Sequence, residues 1–314
     1  VLALLFVGIV AFFTSRFSTG HILTIVDAWK RLAKGDFSVR LKPRMKDERD
    51  QLIHAFNDIV PKIEEHMRMS NALGLAQEVQ QSLLPQSDPS LPGFDIAGAS
   101  IYCDETGGDY YDFIETNRGG QAGLTVVVGD VSGHGVSSAL LMATARALIM
   151  LRSSMPGEAA GIINDVNRYL SLDTAQTGNF MTFFYCELTE RETEVRWVRA
   201  GHDPALIYDP ATDAFEELKG RGLALGLDDA FEYDAFHRRI EPGQVIMIGT
   251  DGIWEMHNKA GEMFGKEALM QIIRNNQTVS ARQIVDTVTE ALERFRGDEA
   301  PEDDITMVVI KVDR

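Results

Sequence analysis

The charge of this chain changes sign partway along it, which no single uniform surface accommodates. Residues 1–46 hold eight lysines and arginines against Asp27 and Asp36, a net of +6, whereas the remaining 268 residues hold 22 basic against 45 acidic groups, a net of −23. Two regions in different surroundings are implied. The overall charge of −17 argues against a nucleic-acid partner, because a phosphate backbone would be repelled over most of the surface. With 45% hydrophobic residues, the 314 positions hold material for one large domain and something smaller. Cys103 and Cys186 are the only thiols, too few for a disulfide framework or a thiolate zinc site. Metal chemistry would therefore fall to carboxylates or histidines.

The basic region opens on the apolar run Val1–Phe13, interrupted by Gly8 and followed by Thr14, Ser15 and Arg16. Such a run is short of the roughly 20 residues a bilayer crossing needs, and a buried core helix is the plain alternative. The chain begins with Val rather than Met, however, and an apolar run with a basic flank has the form of the cytoplasmic end of a spanning helix. The expectation is the end of a transmembrane helix over residues 1–17. A signal peptide would need a basic stretch before the run and a small-residue cleavage site after it, and neither is visible.

Ile22, Ile25, Val26, Trp29, Leu32 and Ala33 recur at three- and four-residue steps and so share one helix face. Gly35-Asp36 interrupts, Asp47 reads as a helix cap, and Leu52, Phe56, Ile59, Ile63, Ser70 and Leu73 then keep near-heptad spacing. Neither stripe buries itself alone, and a homodimer closing a four-helix parallel coiled coil through residues 20–84 is the natural solution. Helix, glycine-led connector and second helix resemble the HAMP relay found just inside the membrane in bacterial receptors. Gly35-Asp36, Glu48 and Phe56-Asn57 carry that resemblance; a proline near Ile22 is missing, and Pro61 lies inside the second helix, where it removes an intrahelical bond. This module is assigned to residues 18–70. The helical pattern continues through Leu73, Ala76, Val79, Gln80 and Leu83 and stops at Leu84-Pro85. Residues 71–93, with Pro85, Pro89 and Pro92, form a switch helix and boundary.

Residues 94–314 read as one α+β domain. Short apolar runs at Phe94–Ala99, Leu124–Val128, Met181–Leu188, Val195–Val198, Leu206–Tyr208, Val245–Ile248 and Ile305–Val312 predict strands. Ser137–Leu151, Ala159–Leu170, Lys266–Asn275 and Ala281–Phe295 predict helices. The order favours a layered α+β arrangement over repeated βαβ units.

Aspartates gather where these strands end. Asp109 follows Gly107-Gly108, Asp130 follows Leu124–Val128 and Gly129, Asp251 precedes Gly252, and Asp303-Asp304 precede the last strand. Aspartate is common in turns, so any one of them alone says little. Together, beside glycines that permit close backbone approach, they point to carboxylates facing one cleft. Clustered carboxylates repel unless a cation lies between them, and oxygen ligands suit Mg²⁺ or Mn²⁺. This chemistry reaches a carboxylate-bound metal hydrolase without identifying the target atom.

From about Leu73 onward the chain resembles the bacterial PPM (PP2C-like) serine phosphatases of the SpoIIE and RsbU type. The resemblance rests on Glu78–Pro85 (EVQQSLLP), Glu105–Phe113 (ETGGDYYDF), Gly129–Ala143 (GDVSGHGVSSALLMA), Met181–Tyr185 (MTFFY), Ala200–Leu206 (AGHDPAL), Gly222–Leu227 (GLALGL), Gly249–Glu255 (GTDGIWE) and Glu302–Val309 (EDDITMVV). It implies a layered β-sandwich flanked by helices and two Mn²⁺ or Mg²⁺ ions. Asp109, Asp130 and the carbonyl of Val131 would hold one ion, with Asp130 bridging to a second held by Asp251 and Asp303. The implied reaction is attack of water between the ions on a phosphoserine or phosphothreonine, without a phosphoenzyme. Asp104, Glu105 and Asp112 are expected on the solvated face, His134 in a helix-capping or helix-positioning role, His202 as a loop organiser or core residue and Asp304 as a cap or support for the last strand. No arginine adjoins the metal motifs, so phosphate binding is left mainly to the metals, and Trp254 stands where this family usually has a smaller residue.

The function implied is a signal-regulated protein-serine/threonine phosphatase on the bacterial inner membrane with its catalytic domain in the cytoplasm. Its expected partner is a phosphorylated STAS-domain regulator of the anti-anti-sigma kind. A non-catalytic partner-switching scaffold is the alternative; a nuclease is disfavoured by charge, and a nucleotide hydrolase by the lack of a Walker-type glycine-lysine motif.

Overall fold

Hydrophobic alternation along the strands decides the layers. In the computed structural model, which describes residues 2–43, 48–118, 121–190 and 193–313, the chain divides into a unit of residues 1–75 and a unit of residues 76–314.

The larger unit contains ten strands: β1 (Phe94–Ile101), β2 (Tyr110–Arg118), β3 (Gln121–Val131), β4 (Met181–Thr189), β5 (Glu194–Ala200), β6 (Ala205–Asp209), β7 (Ala214–Leu218), β8 (Phe236–Arg239), β9 (Val245–Gly249) and β10 (Ile305–Val312). They form two antiparallel five-stranded sheets, ordered β1-β10-β9-β6-β7 and β2-β3-β4-β5-β8. Successive side chains of a strand point to opposite faces. Val126 and Val128 of β3 accordingly enter the core between the sheets with Val308 and Ile310 of β10. Val127 and Val131 turn the other way, against Leu141, Met142, Ile149, Ile163 and Leu170 of the helices α3 (Val136–Ser153) and α4 (Ala159–Thr174). On the far side, Met307 and Val309 meet Leu269, Ile273, Ile284 and Val288 of α5 (Gly265–Asn275) and α6 (Ala281–Arg296). The result is two sheets packed face to face with a pair of helices on each outer face.

Each of the seven strands and four helices expected from apolar runs has a counterpart. Strands β2, β7 and β8 had not been expected. Asp130 lies within β3, opposite Thr182 of β4, rather than beyond the strand end. Among the described residues, α3 is long and apolar enough to cross a membrane by length and composition. Its Leu141, Met142, Ala145 and Ile149 are nevertheless buried on the sheet, so apolarity alone does not identify a span.

In the smaller unit, α1 (Leu2–Leu32) is one continuous helix through the apolar run and the following stripe. A second helix, α2, begins at Glu48 and runs to Leu83 without interruption at Pro61. The expected cap Asp47 lies outside the described residues. Ala28, Leu32, Val39, Phe56 and Val60 form a small core. Trp29 meets Phe56 edge to face at 5.1 Å. Asn57 clamps the connector, accepting the Leu41 N–H at 2.9 Å and donating to its carbonyl at 2.7 Å.

Candidate functional site

The four aspartates stand at the ends of two antiparallel strand pairs, one pair in each sheet. Asp109 enters β2 and Asp130 nears the end of β3, with Tyr110 registered opposite Gly129. In the other sheet Asp251 follows β9 and Asp303 precedes β10, with Gly249 opposite Met307. Hydrogen bonds tie these ends across the sandwich. Thr250 Oγ1 donates to Asp109 Oδ2 at 2.8 Å. Asp304 accepts the N–H groups of Cys103 and Gly108, both at 2.8 Å, and of Asp109 at 3.4 Å. Two glycines allow the approach. A Cβ on Gly108 would lie 2.6 Å from the Val131 carbonyl oxygen, and one on Gly252 would overlap the Asp304 carbonyl.

Electrostatics record the crowding. Burial, then the charges of Asp130 and Asp304, push the Asp109 carboxyl well above its ordinary range. Burial, then Asp251, Asp303 and Asp304, push Asp130 up to about 7. Asp251 is raised by burial and then by Asp303, and Asp303 chiefly by burial. A small pocket is lined by Asp130, Thr182, Gly201, His202, Asp203, Thr250 and Asp251. Among the described residues no three His, Cys, Asp or Glu groups are already drawn together as a finished metal site. The donor set nevertheless fits a hard divalent cation: these groups supply oxygen, and each carboxyl is raised by burial that a bound cation would offset. Val131, the remaining expected ligand through its carbonyl, lies beside Gly108 and donates its own N–H to the Gly108 carbonyl at 3.3 Å.

Other expectations change in three dimensions. Asp112 is buried instead of solvated: it accepts from Tyr110 Oη at 3.0 Å and the Phe113 N–H at 2.8 Å, with Arg146 Nε 3.3 Å away. His134 makes no cap to α3, whose N-cap is Gly135; its Nδ1 lies 3.2 Å from Asp104 on the surface. His202 is buried, with Nδ1 2.9 Å from Thr182 Oγ1, and burial holds its pKa down to about 4, so it is neutral. Asp304 supports the loop entering β2 as well as the start of β10. Gln80, near the end of α2, was overlooked as a functional residue. It donates to the Gly107 carbonyl at 2.6 Å and accepts the Gly107 N–H at 3.2 Å, gripping the loop that carries Asp109. Its place within the EVQQSLLP stretch was the available signal.

Comparison with known proteins agrees with this architecture. Residues 120–313 match the family model of stage II sporulation protein E (SpoIIE). Phosphoserine phosphatase RsbU of Bacillus subtilis is 24% identical over 243 residues, 77% of this chain and 70% of that protein. Protein IcfG of Synechocystis is 26% identical over 99% of this chain, which spans 54% of IcfG. The structure of the SiaA-PP2C domain of Pseudomonas aeruginosa aligns with a TM-score of 0.67 at 22% identity, covering 79% of this chain and 99% of that one. The shared fold is the PP2C-like one, two antiparallel sheets flanked by helices.

Proposed function

The chain belongs to the SpoIIE family, and from that premise we propose that it is a membrane-attached, signal-regulated, metal-dependent protein-serine/threonine phosphatase. The observation that supports the reading is the set of four aspartates at two strand-pair ends, where Asp109 feels the charge of Asp130, and Asp130 those of Asp251 and Asp303. Asp109, Asp130, Asp251, Asp303 and the Val131 carbonyl would hold two Mn²⁺ or Mg²⁺ ions. Bound there, such ions supply an activated water and neutralise phosphoryl charge. The protein's own part is positional: Thr250 orients Asp109, Asp304 braces the loop before β2, and neutral His202 holds Thr182 without adding charge to the pocket.

The substrate in this reading is a phosphoserine or phosphothreonine protein of the STAS-domain, anti-anti-sigma-like kind. Residues 18–70 act as a HAMP-like relay behind the end of a transmembrane helix at 1–17, residues 71–93 as the switch, and residues 94–314 as the phosphatase. The paired core of residues 1–75 supports the relay, as does apolar surface left exposed at Ile22, Trp29, Leu52 and Ile59, which a second copy would cover. The grip of Gln80 on Gly107 gives the switch helix a direct hold on the catalytic loop.

The test is phosphate release with Mn²⁺ or Mg²⁺ from a phosphorylated STAS-domain protein, wild type beside Asp251→Ala. Metal-dependent release that falls by about 100-fold or more in the variant is expected. Binding of the STAS protein with no release from the wild type would leave a partner-switching scaffold instead.

A further inference from the structure

The pocket beside Asp130 and Asp251 is walled by carboxylates, yet a phosphorylated side chain would bring a charge of about −1.5 to −2 to it. Lys266, not itself in the lining of that pocket, is paired with a residue that is. It lies in the first turn of α5, where the peptide dipoles present their positive pole and a lysine is electrostatically disfavoured. Two contacts hold it there. Nζ stands 4.4 Å from the ring centroid of Trp254 and 2.9 Å from Asp203 Oδ2. Asp203 lines the same small pocket as Asp130 and Asp251.

The presentation is built into the backbone. The Gly265 N–H donates to the Trp254 carbonyl and the Phe264 N–H to the Met256 carbonyl, both at 2.9 Å. The segment after Asp251 therefore closes on itself and returns the chain above Trp254, whose ring is buried in the core formed with α5 and α6. Stability does not account for the arrangement. The Lys266 and Asp203 side chains are 32% and 39% exposed, and exposed pairs of this kind contribute about 0–1 kcal/mol. A second cation near the pocket, Arg199, is already engaged by the carbonyls of His202 and Gly220.

We propose that Lys266 binds the phosphoryl group of the substrate, with Trp254 as its platform and Asp203 as its resting partner. An ammonium has three donors, and one directed at Asp203 leaves two for phosphate oxygens. The proposal rests on the phosphatase reading and names the residue that draws the substrate anion into an acidic pocket. It also gives Trp254 a role: its ring holds the ammonium by cation–π attraction, which a small residue would not.

The full chain with Mg²⁺ serves for the test, as wild type, Lys266→Met, Lys266→Arg and Asp203→Asn, each with a thermal melt to establish folding. Lys266→Met should raise KM for a phosphoserine peptide about tenfold, weaken inhibition by inorganic phosphate by a similar factor and leave kcat within about twofold. Lys266→Arg should recover most of the loss, and Asp203→Asn, by freeing the ammonium, should strengthen phosphate inhibition. KM and phosphate inhibition unchanged in Lys266→Met, with normal turnover, would overturn the proposal and leave the phosphatase reading intact. If the wild type hydrolyses nothing, inorganic phosphate binding followed by ³¹P NMR decides. Binding weakened in Lys266→Met upholds the lysine while the catalytic reading falls; equal binding, or none to the wild type, overturns it.

Discussion

Asp130 sits where burial and three neighbouring carboxylates oppose its ionisation, and this has a thermodynamic sign. Its carboxyl titrates near 7 in the folded protein and at an ordinary carboxylate pKa in the unfolded chain. Between those values the folded state keeps a proton that the unfolded state has lost. Stability of the metal-free protein therefore falls from this site as pH rises from about 4 to 7, and is flat above it. After discount for partial exposure the cost is about 1–2 kcal/mol, or roughly 2–8 °C in Tm for a domain of this size. Asp130→Asn removes the charge. Calorimetry in chelator at pH 7.5 should give the variant the higher Tm by that margin, and the stabilisation that Mg²⁺ confers on the wild type should shrink. A variant melting at or below the wild type under those conditions would contradict the crowding. At this scale the sequence was informative about residue type and silent about exposure. Asp109, Asp130, Asp251 and Asp303 announced themselves through adjacent glycines and strand ends. Asp112 carries the same side chain and gave no sign that Tyr110 and Arg146 enclose it. Lys266 was invisible as a site residue because its partner Asp203 is 63 positions away.

Elements matter through where they end. The four aspartates stand at the ends of β2/β3 and β9/β10, and the last turn of α2 reaches the loop before β2 through Gln80. That amide is buried and satisfies both the N–H and the carbonyl of Gly107. Gln80→Ala should cost about 1–3 kcal/mol, since two buried backbone groups lose their partners. It should also loosen Asp109, raising the Mg²⁺ concentration for half-maximal activity several-fold. A loss of Tm with an unchanged metal titration would reduce Gln80 to a structural brace. The strands that were legible are the apolar ones: β3 and β10, covered on both faces, carry the runs Val126–Val128 and Met307–Ile310. Those that were missed have physical reasons. Both β7 (AFEEL) and β8 (FHRR) are sheet-edge strands rich in charge, which protects open edges from pairing. Strand β2 (YYDFIETNR) likewise lies at an edge and turns polar along its length, so its propensity is masked by composition.

For the whole molecule, the sign change in charge separates a basic, helical, apolar-striped region from an acidic sandwich. The sandwich buries its own faces within one chain, so its apolar strands and helices could be read from the sequence, while the two-sheet layering came with the family resemblance. The helices of residues 1–75 do not: Phe56 and Val60 are buried within the chain, whereas Leu52 is 60% and Ile59 44% exposed. Seven residues advance a helix by nearly two turns, so Leu52 and Ile59 share one face, while Glu65 lies well round the helix from it. If a second copy covers that face, residues on it meet their equivalents across the dimer axis. In a Cys103→Ser background, with Cys186 buried, Ile59→Cys should form a disulfide-linked dimer on mild oxidation. Glu65→Cys should remain largely monomeric. Equal cross-linking at the two positions would indicate random collision instead of a defined four-helix contact, and the relay would lose its symmetry. Cross-linking confined to position 59 would also fix the register in which the two α2 helices pair ahead of Gln80.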